Sequence, residues 1–196
     1  MLSFFKRNKI LSILFIITVL TIILGVFLTA FFDKTLNEEI TFHITQIVQY
    51  IKSGNYNSQI LFKNEIKNNT IYLLFMWLIG MSIIGIPILL FLYLVKLLTL
   101  SFEIVFLIKN IKITGILFSF LYVIPKLAHI ILYFFLLNHA IRFSIVLIKM
   151  IFFKRSYNLH LIIKRYSFIF LIIEFSSLLV TFIETCLMPK IFTFII

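Results

Sequence analysis

Four apolar runs dominate this chain, Ile10–Phe32, Ile71–Val95, Leu127–Ile148 and Tyr166–Met188. Each meets the ~20 residues that a helix needs to cross a hydrocarbon core of ~30 Å. Backbone polar groups have no water to bond there, so each run is expected to form a helix that satisfies its own backbone. The whole chain of 196 residues is 62% hydrophobic with a mean hydropathy of +1.16, where soluble domains are roughly 45–50% apolar. The reading is an all-α polytopic membrane helical bundle.

Charge then orients the runs. The net charge of +11 does not point to nucleic acid, because the basic residues cluster at the ends of apolar runs and not on one soluble face. Residues 1–9 carry Lys6, Arg7 and Lys9 and no acid, and residues 142–165 carry six basic residues and no acid. By the positive-inside rule both belong to the cytoplasm. An even number of crossings must then lie between them. The runs at 10–32, 71–95 and 127–148 supply three, so the region Lys96–Pro125 supplies one more. Its first apolar piece, Leu97–Ile108, spans ~18 Å as a helix, short of the core. Its second, Ile113–Ile124, ends at Pro125 and is read as a half-helix at or dipping into the outer face. The expected plan is therefore about five transmembrane helices: a cytoplasmic terminus at 1–9, an anchor at 10–32, an extracytoplasmic helical loop at 33–70, and a membrane bundle of four further spans at 71–196. The anchor's core exceeds the length of a signal-peptide h-region, and no A-x-A site follows it.

Residues 33–70 hold four acids and four lysines, the neutral balance of an external loop. Ile40, Ile44, Ile47, Val48 and Ile51 fall on one face of an amphipathic helix. That face can lie on the membrane or bundle, or dock an extracytoplasmic partner. SGNYN at 53–57 signals a turn, and a second short helix over about 59–67 leads into the next span.

The run 71–95 contains MWLIGMSIIGIP, with Gly80, Gly85 and Pro87 in a chain holding only 5 Gly and 3 Pro. No polar residues flank Pro87, so it is expected inside one long helix, where its missing N–H produces a kink. Gly80 and Gly85 are five apart, unlike a GxxxG motif, but still permit close helix approach.

Glu103, Glu174 and Glu184 lie within apolar runs, where ionisable groups are costly and are functional candidates. Lys96 lies seven residues before Glu103, on the same face, which suggests a shared polar stripe and not a direct bond. Glu174 sits mid-span and needs a partner, whereas Glu184 lies near the outer end. Arg142 is expected to snorkel. His129 and His139 are ten apart, off any common ligand spacing, and are read as packing or interfacial residues. No hydrolase, phosphate-loop, zinc or cofactor signature occurs, and the single Cys186 forms no intrachain disulfide. The chain is expected to be non-enzymatic. A small transporter or permease subunit using the intramembrane glutamates is the alternative. Usage of 25 Phe and few Ala, Gly and Pro fits an AT-rich genome, so no single Phe is singled out.

From about Ile66 onward the residues resemble a known family. Lys67-Asn68 leads into MWLIGMSIIGIPILL, Lys96 follows the kinked helix, and Gly115-Ile116-Leu117-Phe118-Ser119-Phe120, Ile124-Pro125, a basic loop and a Glu174-bearing helix come after. The pattern is similar to stage II sporulation protein M of endospore-forming bacteria. Residues 1–65 match in layout only. The resemblance implies a mother-cell membrane protein at the engulfing septum. It would act as a scaffold that recruits two peptidoglycan-degrading partners, stage II sporulation proteins D and P. One departure stands out. Relatives often carry small residues just after the position of Lys96, and here only Thr99 and Ser101 are small.

Overall fold

The structure is a computed structural model that describes residues 9–31, 42, 46, 57–110, 113–154 and 156–195. The helical face from Ile40 to Ile51 lies outside them. The described chain is all-α. α1 is Lys9–Leu28, closed by a 3-10 turn at Thr29–Phe31. α2 is Ser58–Gly80, α3 Gly85–Asn110, α4 Ile113–Phe152 and α5 Leu159–Phe182. A π turn at Ile183–Leu187 joins α5 to α6, Met188–Ile195.

Side-chain pairings fix the helix directions. Thr18 meets Tyr93, and Gly25 meets Ser101, so α1 and α3 run parallel. Tyr72 bonds the carbonyl of Leu92, making α2 and α3 an antiparallel hairpin. Glu103 meets Lys126, and Phe143 meets Tyr166, which makes α3–α4 and α4–α5 antiparallel as well. The five long helices thus alternate in direction along the bundle. Four stretches are long and apolar enough to cross a membrane: Lys9–Leu28, Gly85–Phe106, Tyr122–Phe152 and Leu159–Ile191. α2 is of comparable length but polar through its first half, and it packs between α3, α4 and α5. The 59–67 segment expected as a separate short helix is the first half of α2. Asn57 starts that helix, its side chain accepting from the N–H groups of Gln59 and Ile60.

The structure corrects two features of the expected chain path. The run 71–95 is not one kinked helix: α2 stops at Gly80, Met81–Ile84 turn, and α3 starts at Gly85. Pro87 therefore occupies the first turn of α3, where its missing N–H costs nothing. A turn without polar flanks is possible here because its backbone is satisfied from within the chain. Ser82 Oγ donates to Ile79 O at 2.8 Å, and Ser144 Oγ of α4 lies 2.9 Å from the carbonyls of both Gly80 and Ser82. Gly85 is required by the turn, since a Cβ there would collide with the Ile79 carbonyl. The second correction concerns Pro125. It does not close a half-helix but lies buried inside the 40-residue α4, so 113–124 and 127–148 form one helix.

Small residues set the helix spacings. A Cβ on Gly80 would meet the Tyr166 hydroxyl and lie 2.8 Å from Ala140 Cβ, so α2 touches α4 and α5 at this point. Gly25 plays the same part for α1, where a Cβ would lie 2.6 Å from Ser101 Cβ. Ser101 is 1% exposed, so close packing of α3 survives its reduced complement of small residues. The apolar core runs through Leu73, Met76, Leu89, Tyr93, Leu97, Leu136 and Leu137, all fully buried. α1 is the least buried of the spans, and large apolar side chains cover its open face.

Candidate functional site: a charged cleft among four segments

Polar residues at helical spacing collect where α2, α3, α4 and the π turn meet. On α2 they are Glu65 and Asn69, on α3 Lys96, Thr99 and Glu103, on α4 Lys126, His129 and Tyr133, and on the π turn Glu184. They line a cleft of about 100 Å³, room for several water molecules. Three carboxylates and two ammonium groups share it.

The strongest contact is Lys126 Nζ donating to Glu103 Oε2 at 2.6 Å, with the two side chains 25% and 31% exposed. The same ammonium lies 4.5 Å from the centre of the Tyr122 ring, and Lys96 lies 5.0 Å from that of Tyr72. Aromatic faces attract cations in this range. Lys126 is thus held by a carboxylate and a ring, and Lys96 by a ring.

Deeper in the bundle lies a buried polar network. Tyr133 Oη donates to Asn69 Oδ1 at 2.9 Å, and Asn69 Nδ2 donates to Thr181 Oγ1 at 3.2 Å. Thr181 in turn donates to the Ser177 carbonyl at 3.0 Å. The buried His129 ring stands at the centre. Its Nε2 is 3.5 Å from Glu184 Oε2, Thr181 Oγ1 and Asn69 Nδ2, and its Nδ1 is 3.4 Å from Ser177 Oγ. The ring also stacks on Tyr133. The π turn contributes here, since one residue too many in the turn at 183–187 carries Glu184 to within reach of His129. Such bulges recur at functional sites. The arrangement ties three helices together in a medium where an unpaired polar group is expensive. It also places a histidine between a carboxylate and hydroxyls.

Lys96, Glu103 and Glu184, singled out from the sequence, converge on this cleft. Glu174 does not. It lies on α5 near α2, accepting from Thr70 Oγ1 at 2.5 Å, while its Oε2 is buried with no hydrogen-bond partner among the described residues. Gly80, Gly85 and Pro87 form the turn at the opposite end of α2 and α3. Glu65, Asn69, Lys126, His129 and Tyr133 escaped sequence reasoning. The available signal was spacing: 65 and 69, then 126, 129 and 133, then 177, 181 and 184 each mark one face of an apolar helix. His129 shares its face of α4 with Lys126, three residues before it, and Tyr133, four after it, and not with His139. Among the described residues no set of His, Cys, Asp and Glu converges with metal-holding geometry.

An all-α fold, four helices of spanning length and an interior polar network define a multi-pass membrane protein. Comparison with known proteins adds the lineage. The chain belongs to the stage II sporulation protein M family, whose model it matches over residues 12–189. That match takes in α1, which resembled the family only in layout. No curated protein and no solved structure matches the chain. The protein is thus a sporulation-related membrane protein.

Proposed function

We propose that the protein is a non-enzymatic membrane scaffold for peptidoglycan remodelling during forespore engulfment, held in the mother-cell membrane at the septum. The observation that carries this reading is membership of the sporulation family over residues 12–189. The partners proposed from the resemblance are the peptidoglycan-degrading stage II sporulation proteins D and P. The packing narrows how they would dock. Gly80 and Gly85 are occupied by contacts within the chain itself, so they serve the bundle and not a partner. The outer faces of the helices remain, above all α1, whose buried residues are Leu14 and Gly25. Association there would rest on packing between lipid-facing helices. The test is affinity purification from sporulating cells, with identification of co-eluting proteins. Peptidoglycan-degrading enzymes enriched over an untagged control support the scaffold. Their absence overturns it.

The charged cleft favours a second reading, a small transporter or permease subunit. Glu103 in the cleft is then the coupling acid, while Glu174 lies apart from it. This reading predicts proton or ion flux in proteoliposomes that Glu103→Gln abolishes. Unchanged flux in the variant rejects it.

A further inference from the structure

We propose that the groove between α4 and α5, at the basic end of the bundle, is a binding site for an anionic phospholipid of the cytoplasmic leaflet, held through its phosphate. The inference is independent of the scaffold reading.

Each wall of the groove is one helical face. α4 supplies His139, Arg142, Phe143 and Val146, and α5 supplies Ile162, Arg165, Tyr166 and Ile169. Both sets follow the spacing i, i+3, i+4, i+7, which places four side chains on one stripe. The helices are antiparallel, so the stripes face each other in register. Phe143 and Tyr166 form the floor, buried and stacked with centroids 4.8 Å apart. Above it lies a space of about 210 Å³.

The register brings Arg142 and Arg165 to the same groove, one from each helix. The buried Asn138 accepts from Arg142 Nε at 3.3 Å and so orients that guanidinium. An anion seated between the two walls would meet a positive charge from each helix. A guanidinium fork matches phosphate oxygens two at a time.

The apolar walls select the source of the phosphate. Val146, Ile162 and Ile169 offer hydrocarbon where an inorganic anion has nothing to gain. A phospholipid fits both halves, with its phosphate at the arginines and the start of an acyl chain along the aliphatic wall. Depth agrees. Arg142 and Arg165 lie at the level of Ser144, which bonds the Met81–Ile84 turn, and the exposed Lys149, Lys154 and Lys164 lie beyond. The positive-inside rule assigns that end to the cytoplasmic face. Basic pockets between spanning helices on that side suit anionic headgroups.

The test is native mass spectrometry of the purified full chain in detergent, titrated with phosphatidylglycerol, phosphatidylcholine or inorganic phosphate. Phosphatidylglycerol should be retained in preference to phosphatidylcholine. Arg142→Gln and Arg165→Gln should each weaken its retention ~5-fold, as loss of one basic contact near a membrane surface does. Val146→Trp, which fills the groove without changing charge, should also lower it. Lys149→Gln with Lys154→Gln, outside the groove, should not. Equal loss from the two lysine changes would mean a diffuse surface effect and would overturn the site. Inorganic phosphate competing as well as the lipid would reduce it to a plain anion site and overturn the lipid assignment. Should the glutamine variants fail to fold, Arg142→Lys and Arg165→Lys keep the charge and remove the fork. Undiminished retention in both lysine variants and in Val146→Trp also overturns the proposal.

Discussion

The interior network makes a quantitative claim about the pair Asn69 and Tyr133. Tyr133 is 2% exposed and Asn69 8%, and they share a hydrogen bond of 2.9 Å between α2 and α4. Hydrogen bonds between membrane helices average ~0.6 kcal/mol and reach ~1.7. Tyr133→Phe removes one such bond; Asn69 Nδ2 keeps its contact with Thr181, but Oδ1 loses its donor, so the change should cost ~1–2 kcal/mol. Asn69→Ala removes both bonds and strands the Tyr133 hydroxyl in an apolar core. A stranded buried group costs ~1–3 kcal/mol, so this variant should lose about 2–3 kcal/mol. The two costs share a term. With Tyr133 already Phe, Asn69→Ala strands nothing on α4, and the double variant should be about 1 kcal/mol more stable than the sum predicts. Unfolding of the purified protein in mixed micelles, followed by loss of helical circular dichroism against rising denaturing detergent, measures all four corners of the cycle. Additivity within ~0.3 kcal/mol would mean that the two side chains do not meet, and the network as described would be wrong.

Three further outcomes follow from the packing. Gly80→Ala should cost ~1–3 kcal/mol by overpacking, although alanine favours helix, and Tyr166→Phe should relieve part of that loss in the same unfolding assay by removing the hydroxyl the new methyl meets. Gly25→Leu should push α1 off α3. Cysteines placed at Thr18 and Tyr93, which lie in contact, should then cross-link less in a Cys186→Ser background, and unchanged cross-linking would contradict the assigned contact. Lys126→Met should cost about 2 kcal/mol, between the values for exposed and buried pairs, because it leaves Glu103 half-buried beside an apolar side chain. Adding Glu103→Leu should restore most of that loss, and a double variant as unstable as the single one would assign the effect to packing instead.

Two prolines separate what the sequence could show from what it could not. Length and hydropathy were sufficient to read an all-α membrane bundle, because the hydrocarbon core imposes both. Charge at Lys6, Arg7 and Lys9 and at 142–165 was sufficient to require an even number of crossings between the two segments. The path inside the bundle was harder to see. Pro87 was expected inside a helix and lies at the start of one. Pro125 was expected to end a helix and lies inside one. Each expectation applied a rule from water, where a turn advertises itself by polar residues and a proline breaks what it enters. In lipid the deciding quantity is who satisfies the freed backbone groups. Before Pro87 come Gly80, Ser82 and Gly85, and the carbonyls they expose are met by Ser82 itself and by Ser144, 62 residues away from Ser82. Over the seven residues before Pro125 there is one serine, Ser119, and no glycine to turn on, and just after it Lys126, His129 and Tyr133 bind α4 to its neighbours. Glycines with a hydroxyl between them ahead of the proline, more than the proline, therefore mark where this membrane helix stops. Ser144→Ala tests that reading directly. It leaves the carbonyls of Gly80 and Ser82 without their donor from α4, and should cost ~1–3 kcal/mol in the same unfolding assay. A cost near zero would mean that the turn is held by its own residues alone, and that its position was legible in the local sequence after all.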